Sequence, residues 1–402
     1  MRWFFILFFL AQLVHAEILS QWRGPNRDGR YPATSLLKQW PADGPRVLWT
    51  VDGLGKGHTS AAVTNDKVFL TGVHGQDGWL YAYDHNGKLL FKKKYGREWT
   101  RNYSGTRSTP LVVDDLIYIE SGQGFLYCLS AGDGSQVWAV NLLEKFNSKN
   151  LPWGMTEQLL ADDGVLYCTP GGPQVGMVAL DRFSGKSLWT NPGNGELSSY
   201  CSPILVNHNG ICLLITMMQK SVIGVAAETG ELLWREPFEA PYDIHANTPI
   251  YWNGSVYVQS GEGGDGMLLR IAPNAQSVQV VWRNDNMDTL TGHAVLVDGF
   301  IYGAGFPEKG FQAMNWRTGE SNYEFEYYTR SVTIYADGFL YLYSEKGDVA
   351  LVRPNEKEFD LVSSFRIDFG DGPHWAHPVV KKGRLYIRHG NDLHVYDVAA
   401  GQ

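Results

Sequence analysis

Histidines, arginines, carboxylates and tryptophans are the residues here most able to do chemistry, and their spacing excludes most of it. His374 and His377 stand three apart, and residues three apart in a strand point to opposite faces. No His-Glu-x-x-His run accompanies them or His245 and His293, so no metal-ligand set is expected. Gly-x-Ser-x-Gly is absent, which removes the exposed nucleophile of acyl transfer. Gly261–Gly266 lacks both the spaced Asp/Asn ligands of a calcium loop and the Lys-Ser/Thr of a phosphate loop, and reads as a flexible turn. Cys128, Cys168, Cys201 and Cys212 show no Cys-x-x-Cys spacing, and each sits in a strand-like run. Buried free thiols are expected there. No catalytic residue is therefore assigned. What remains is suited to binding: His58, Arg107, Met155, Tyr200, Ala246, Thr291, Arg330 and Trp375 fall at one equivalent position of an internal repeat. Glu157, His245, His293, His374 and His377 lie close by in sequence.

The elements that must position them recur along the chain. The repeat reads apolar strand, Asp/Asn/Gly turn, Tyr-containing strand, Gly-rich loop, third strand. Clear copies are Pro110–Val112 with Leu116–Ile119 and Pro249–Tyr251 with Val256–Val258. Eight copies can be counted. A fourth strand closes each with a large aromatic, best seen in Ser184-Gly185-Lys186-Ser187-Leu188-Trp189 and Thr229-Gly230-Glu231-Leu232-Leu233-Trp234. The closing aromatics fall at 49, 91, 138, 189, 234, 282, 325 and 365, a mean step of about 45 residues that suits a four-stranded propeller blade. The eighth copy ends where its closing strand is due, and an orphan closing strand, Arg46–Val51, precedes the first copy. Pairing the two predicts an all-β, eight-bladed β-propeller over residues 46–402, its ring closed by the N-terminal strand. In such a ring the recurrent position faces a funnel mouth on the axis, the default place for a ligand. Side chains that merely line a water-filled channel are the alternative. Two long connections, Tyr95–Ser104 with Trp99 and Arg101, and Leu143–Met155 with Trp153, have the Trp, Tyr and Arg content of recognition surfaces. Tryptophan packed on a blade is the rival reading for both.

Forty-two acidic against 34 basic residues, a net charge of −8, exclude a generally basic nucleic-acid binder. A hydrophobic share of 44% excludes a disordered chain. Met1-Arg2, an apolar run from Trp3 to Leu13 and Val14-His15-Ala16 read as a cleaved signal peptide over residues 1–16. The run is shorter than the roughly 20 residues of a membrane span. No cysteine follows the cleavage point, so no lipid anchor is expected; a periplasmic or secreted monomer is. Residues 17–45 are expected to form an extended strap across the ring, with Arg23 and Arg27 as structural anchors.

Ala179-Leu180-Asp181-Arg182-Phe183-Ser184-Gly185-Lys186-Ser187-Leu188-Trp189 resembles the PQQ-like repeat of quinoprotein-type propellers, A-x-D-x-x-(T/S)-G-x-x-x-W. Trp22-Arg23-Gly24-Pro25-Asn26-Arg27-Asp28-Gly29 resembles the opening of a group of exported propellers of that family. The family contains PQQ- and calcium-dependent alcohol or sugar dehydrogenases, and also non-catalytic scaffolds similar to the propeller subunit of the outer-membrane β-barrel assembly machinery. The adjacent cysteine pair that the resemblance to alcohol dehydrogenases would require is missing. The expectation is a scaffold without a cofactor that binds an envelope protein, peptide or polysaccharide. The expected contacts are His58, Trp99, Arg101, Arg107, Trp153, Glu157, Tyr200, His245, His293, Arg330, His374 and Trp375. A PQQ-dependent dehydrogenase with an atypical axial site is the alternative.

Overall fold

The computed structural model describes residues 18–290, 293–305 and 309–401; the expected signal segment and Thr291 lie outside the described residues. Eight antiparallel sheets form an eight-bladed β-propeller. Blades 1 to 7 span residues 62–97, 111–141, 160–190, 204–237, 250–284, 295–325 and 332–366. Blade 8 combines residues 379–397 with Val47–Val51, whose Trp49 lies opposite Val395. Among the described residues the one α-helix is a single turn, Leu142–Lys145, capped by the Asn141 side chain.

Burial follows the radius. Second strands such as Ser255–Gln259 and Phe339–Tyr343 are buried throughout, because neighbouring blades cover both faces. Outermost strands such as Gln136–Asn141 are largely exposed at the rim. That is why the middle strands read as nearly continuous apolar runs while the closing strands keep polar residues.

The closing aromatics join each blade to the next. Trp138 packs on Gly185 and Trp189 on Gly230, each glycine being the positive-φ residue of the following blade's last hairpin (φ 68° and 77°). A Cβ at Gly230 would stand 2.5 Å from the Trp189 ring, so only glycine admits the indole. Each indole N–H also donates across the gap, Trp138 to Arg182 O and Trp189 to Ala227 O, both at 3.0 Å. The clasp is missing at two gaps. Between blades 6 and 7 the last hairpin has no positive-φ residue, and Phe325 stacks on Phe359 at 4.2 Å instead. At the gap between blades 4 and 5 the hairpin carries Ala275 at its positive-φ position, and Trp234 lies back over Gly224 of its own blade with its N–H unpartnered.

The N-terminal segment crosses the ring through the axial channel. Ile18–Ser20 pairs antiparallel with Leu111–Val113, the innermost strand of blade 2. Arg30–Tyr31 pairs in parallel with Val332–Ala336, the innermost strand of blade 7. Between these, Arg27 donates to Gln158, Leu159 and Pro203 carbonyls at 2.7–2.9 Å, and Arg23 donates to Ala294 O at 2.7 Å and Thr333 O at 3.3 Å. Trp22 Nε1 reaches Thr248 Oγ1 at 3.3 Å. The chain then turns outward, burying Trp40 against Tyr341 and Phe365, and enters blade 8. Hub and rim belong to one strap.

Candidate functional site

The strap divides the channel. On one side of it lies a cup of about 580 Å³ with Trp22 among its lining residues. A second cavity, of about 720 Å³, adjoins Gln21, Gly24 and Pro25. The cup opens among the loops that lead from each outermost strand into the next innermost one.

One wall of the cup is a hydrogen-bonded network between blades 7, 8 and 1. Arg330 Nη1 donates to Glu345 Oε2 at 2.7 Å, and Trp375 Nε1 donates to Glu345 Oε1 at 2.8 Å. The fixed Trp375 ring lies 5.1 Å from His58 and 5.0 Å from Tyr103. Arg107 ties the Tyr103 loop down by donating to Asn102 O and Tyr103 O at 3.1 and 2.7 Å. The opposite wall is apolar, with Trp153 6.2 Å from Tyr200 and with Ile244, Ala246 and Leu290 beside them. The base is aromatic: Trp22 sits 4.2 Å from His377 and 5.6 Å from His293. Burial holds His58 neutral, its pKa lowered to about 3, and raises the Tyr200 phenol to about 12. The Trp153 backbone N–H draws the phenol down somewhat but does not reach hydrogen-bonding geometry.

Seven of the twelve residues expected from sequence line this cup: His58, Arg107, Trp153, Tyr200, His293, Arg330 and Trp375. Five lie elsewhere. Trp99 is 1% exposed, packed behind the wall with its N–H on Asn102 O at 2.9 Å, so the blade-packing alternative holds for it. Arg101 covers the outer face of that ring at 4.3 Å and is exposed. Glu157 is buried and turned to Thr169, whose N–H donates to it at 2.7 Å. His245 stacks on Phe238 at 5.1 Å, and burial lowers its pKa to about 4. His374 lies in the loop before Val379–Lys381, not in a strand, and stacks on His389 at 3.6 Å with Nδ1 on Tyr343 Oη at 2.5 Å, while His377 lies beside Trp22. These five follow the bland rule that a polar or aromatic group near a strand end is first used for packing.

Sequence reasoning missed Trp22, Tyr103, Glu262 and Glu345 as lining residues. Trp22 belongs to no repeat, and Glu345 comes from a loop between second and third strands, so register could not find them. Tyr103 lies in the singled-out Tyr95–Ser104 connection, whose Trp, Tyr and Arg content was the usable signal. Glu98, also missed, holds that loop: Tyr95 Oη donates to it at 2.7 Å, and the Trp99 and Gly122 amides at 3.0 Å. Cys128, Cys168 and Cys201 are buried free thiols, whereas Cys212 is half-buried. Among the described residues no group of three His, Cys, Asp or Glu could hold a metal ion, and no helix is long and apolar enough to cross a membrane.

Known proteins share this architecture. The chain is 29% identical to the outer membrane protein assembly factor BamB of Burkholderia pseudomallei over 176 residues, 44% of this chain and 41% of that one. It thus spans less than half the length of that relative. The crystal structure of BamB from Moraxella catarrhalis superposes with a TM-score of 0.63 at 15% identity, covering 89% of this chain and 98% of that one. Quinohemoprotein alcohol dehydrogenase from Comamonas testosteroni superposes with a TM-score of 0.67 at 10% identity, covering 94% and 79%. At those identities the two superpositions speak for the fold alone. The sequence pattern of the family described as outer membrane protein assembly factor BamB matches residues 76–325. By that match the chain belongs to the BamB family of PQQ-like propellers.

Proposed function

We propose that the chain is a non-catalytic scaffold of the cell envelope, periplasmic or secreted, that docks a protein partner on the face around the cup mouth. The observation that carries this is a set of exposed aromatics on the loops leading into innermost strands. Tyr103, Tyr242 and Tyr327 are 56%, 72% and 64% exposed, with Arg101 beside the first. Tyrosine and arginine exposed together are the composition of interface hot spots. Tyr103 and Tyr242 are held at φ 50° and 61°, a conformation that costs a bulky residue free energy and is retained where it serves recognition. The relatives' description as assembly factors supports the same reading.

A PQQ-dependent dehydrogenase fits these residues poorly. Arg107 and Arg330 are matched by Glu262 and Glu345, which leaves no excess positive charge for a polycarboxylate quinone. Among the described residues no group of three His, Cys, Asp or Glu is placed to hold calcium.

The test is photocrosslinking in envelopes, with a photoreactive residue placed at Tyr103, Tyr242 or Tyr327, and at the exposed rim positions Leu89 or Val137. Adducts to one defined envelope protein are expected from the loop-face positions only. Adducts of equal yield from the rim, or adducts to polysaccharide alone, would refute protein docking on this face. Arg101→Ala is the informative truncation, because Trp99→Ala also removes a buried side chain.

A further inference from the structure

The cup has a chemistry of its own, independent of what docks on its rim. Its volume of about 580 Å³ lies within the roughly 300–1,000 Å³ of small-ligand sites. Tyr200, His293 and Arg330 join Tyr103 in holding a left-handed backbone without being glycine (φ 69°, 44°, 53°). That conformation is disfavoured, and its concentration around one cavity is typical of walls built to aim side chains.

The lining selects a ligand class. Two arginines and two glutamates cancel, so a charged ligand would enter with its charge uncompensated. Facing aromatic walls, Trp375 with Tyr103 and Trp153 with Tyr200, offer apolar faces to a flat, compact body. Glu345 is pinned by the Trp375 and Arg330 donors and keeps acceptor capacity, since an ionised carboxylate has about four lone-pair sites. The two walls also contain His58 Nδ1 and Arg107 Nε on one side and Tyr200 Oη on the other, buried without hydrogen-bond partners. Polar atoms left so are costly, and both donors and acceptors are among them. A hydroxyl group can serve both kinds, because it donates and accepts from one atom.

We infer that the cup binds a neutral saccharide of one or two rings, with ring faces against the Trp375 and Trp153 walls and hydroxyls on Glu345. The carbohydrate is bound, not transformed.

The test titrates the full chain with cellobiose, maltose and N,N′-diacetylchitobiose, following tryptophan fluorescence and calorimetric heat. Glucuronate, glucosamine and trialanine serve as charged comparisons. At least one neutral disaccharide is expected to saturate with a Kd in the millimolar range or tighter, on the order of 1 mM. Trp375→Ala, Trp153→Ala and Glu345→Gln should each weaken it about tenfold or more, roughly 1.4 kcal/mol. Val137→Ala, on the exposed rim, should leave it unchanged. Should Trp375→Ala fail to fold, Trp375→Phe, which keeps an aromatic face but loses the N–H to Glu345, is read instead and should weaken binding severalfold. No saturation by any of the three sugars, tighter binding of a charged comparison, or indifference to all wall substitutions would overturn the assignment. The crosslinking result at Tyr242 and Tyr327 can fail without touching this one.

Discussion

Arg23 and Arg27 are buried arginines whose hydrogen-bond partners are mainly backbone carbonyls of innermost strands. Burial lowers both to about 10, so they stay charged at neutral pH. Arg27→Ala leaves three inner-strand carbonyls without their donor, each costing about 1–3 kcal/mol. A loss of about 3 kcal/mol or more in urea unfolding is expected, with Arg27→Lys recovering only part because the planar fork is lost. A loss below about 1 kcal/mol would show that water replaces the guanidinium there. Trp99→Ala should cost about 3–5 kcal/mol as a cavity mutation, and Arg101→Ala about 0.5–1 kcal/mol. Buried groups set opposite pH dependences, Glu98 and Glu157, the latter raised to about 8, on one side and His58 on the other. Burial raises Glu98 to about 7 against 4.5 unfolded, so its stabilising contribution is full below 4.5 and is lost as pH rises through 7. His58, lowered to about 3 against 6.5, contributes fully above 6.5 and loses that contribution as pH falls. Glu98→Gln should flatten the decline of the urea midpoint between pH 5 and 8 while leaving the acid-side decline in place. An unchanged alkaline slope would mean that Glu98 is ionised in the fold.

Elements were legible in proportion to how strictly their residues repeat. Gly185 and Trp189 announce a hairpin and a closing strand because a positive-φ turn and a rim aromatic are needed at the same interval in most blades. Sequence could not say that Trp234 would turn back, since that depends on Ala275 in the neighbouring blade, outside its own repeat. Gly230→Ala should cost at least 1–3 kcal/mol, combining an unfavourable φ with overlap on the Trp189 ring. The measurement is the urea midpoint, and a near-neutral result would show that the indole can step aside. The strap was legible as extended chain, yet its course through the channel was not: Trp22, Arg23 and Arg27 have no periodicity, and their partners come from six different blades or inter-blade loops.

For the molecule as a whole, the eightfold repeat fixed blade number and the mouth of the funnel, so the residues at its one recurrent position converge. His58, Arg107, Tyr200, Arg330 and Trp375 are in the cup because register alone puts them there. His245 and His374 were near in sequence but satisfied by neighbours, which only packing reveals. Removing residues 18–51 takes away both the hub strap and the last strand of blade 8, baring the edge held by Leu393 and Val395. Such a chain should melt broadly and self-associate through that edge, checked by calorimetry and light scattering. A sharp melt of a monomer would contradict the proposed role of the strap. The same pairing has a consequence in time. Val47–Val51 is made well over 300 residues before its partner Leu393–Tyr396. A growing chain can stack its blades as they appear, yet the ring cannot close until Leu393–Tyr396 has been made. Closure is therefore a late, long-range event, of the kind that makes folding slow. Until then the polypeptide remains an open arc, and a truncated product lacking its final strand would stay one.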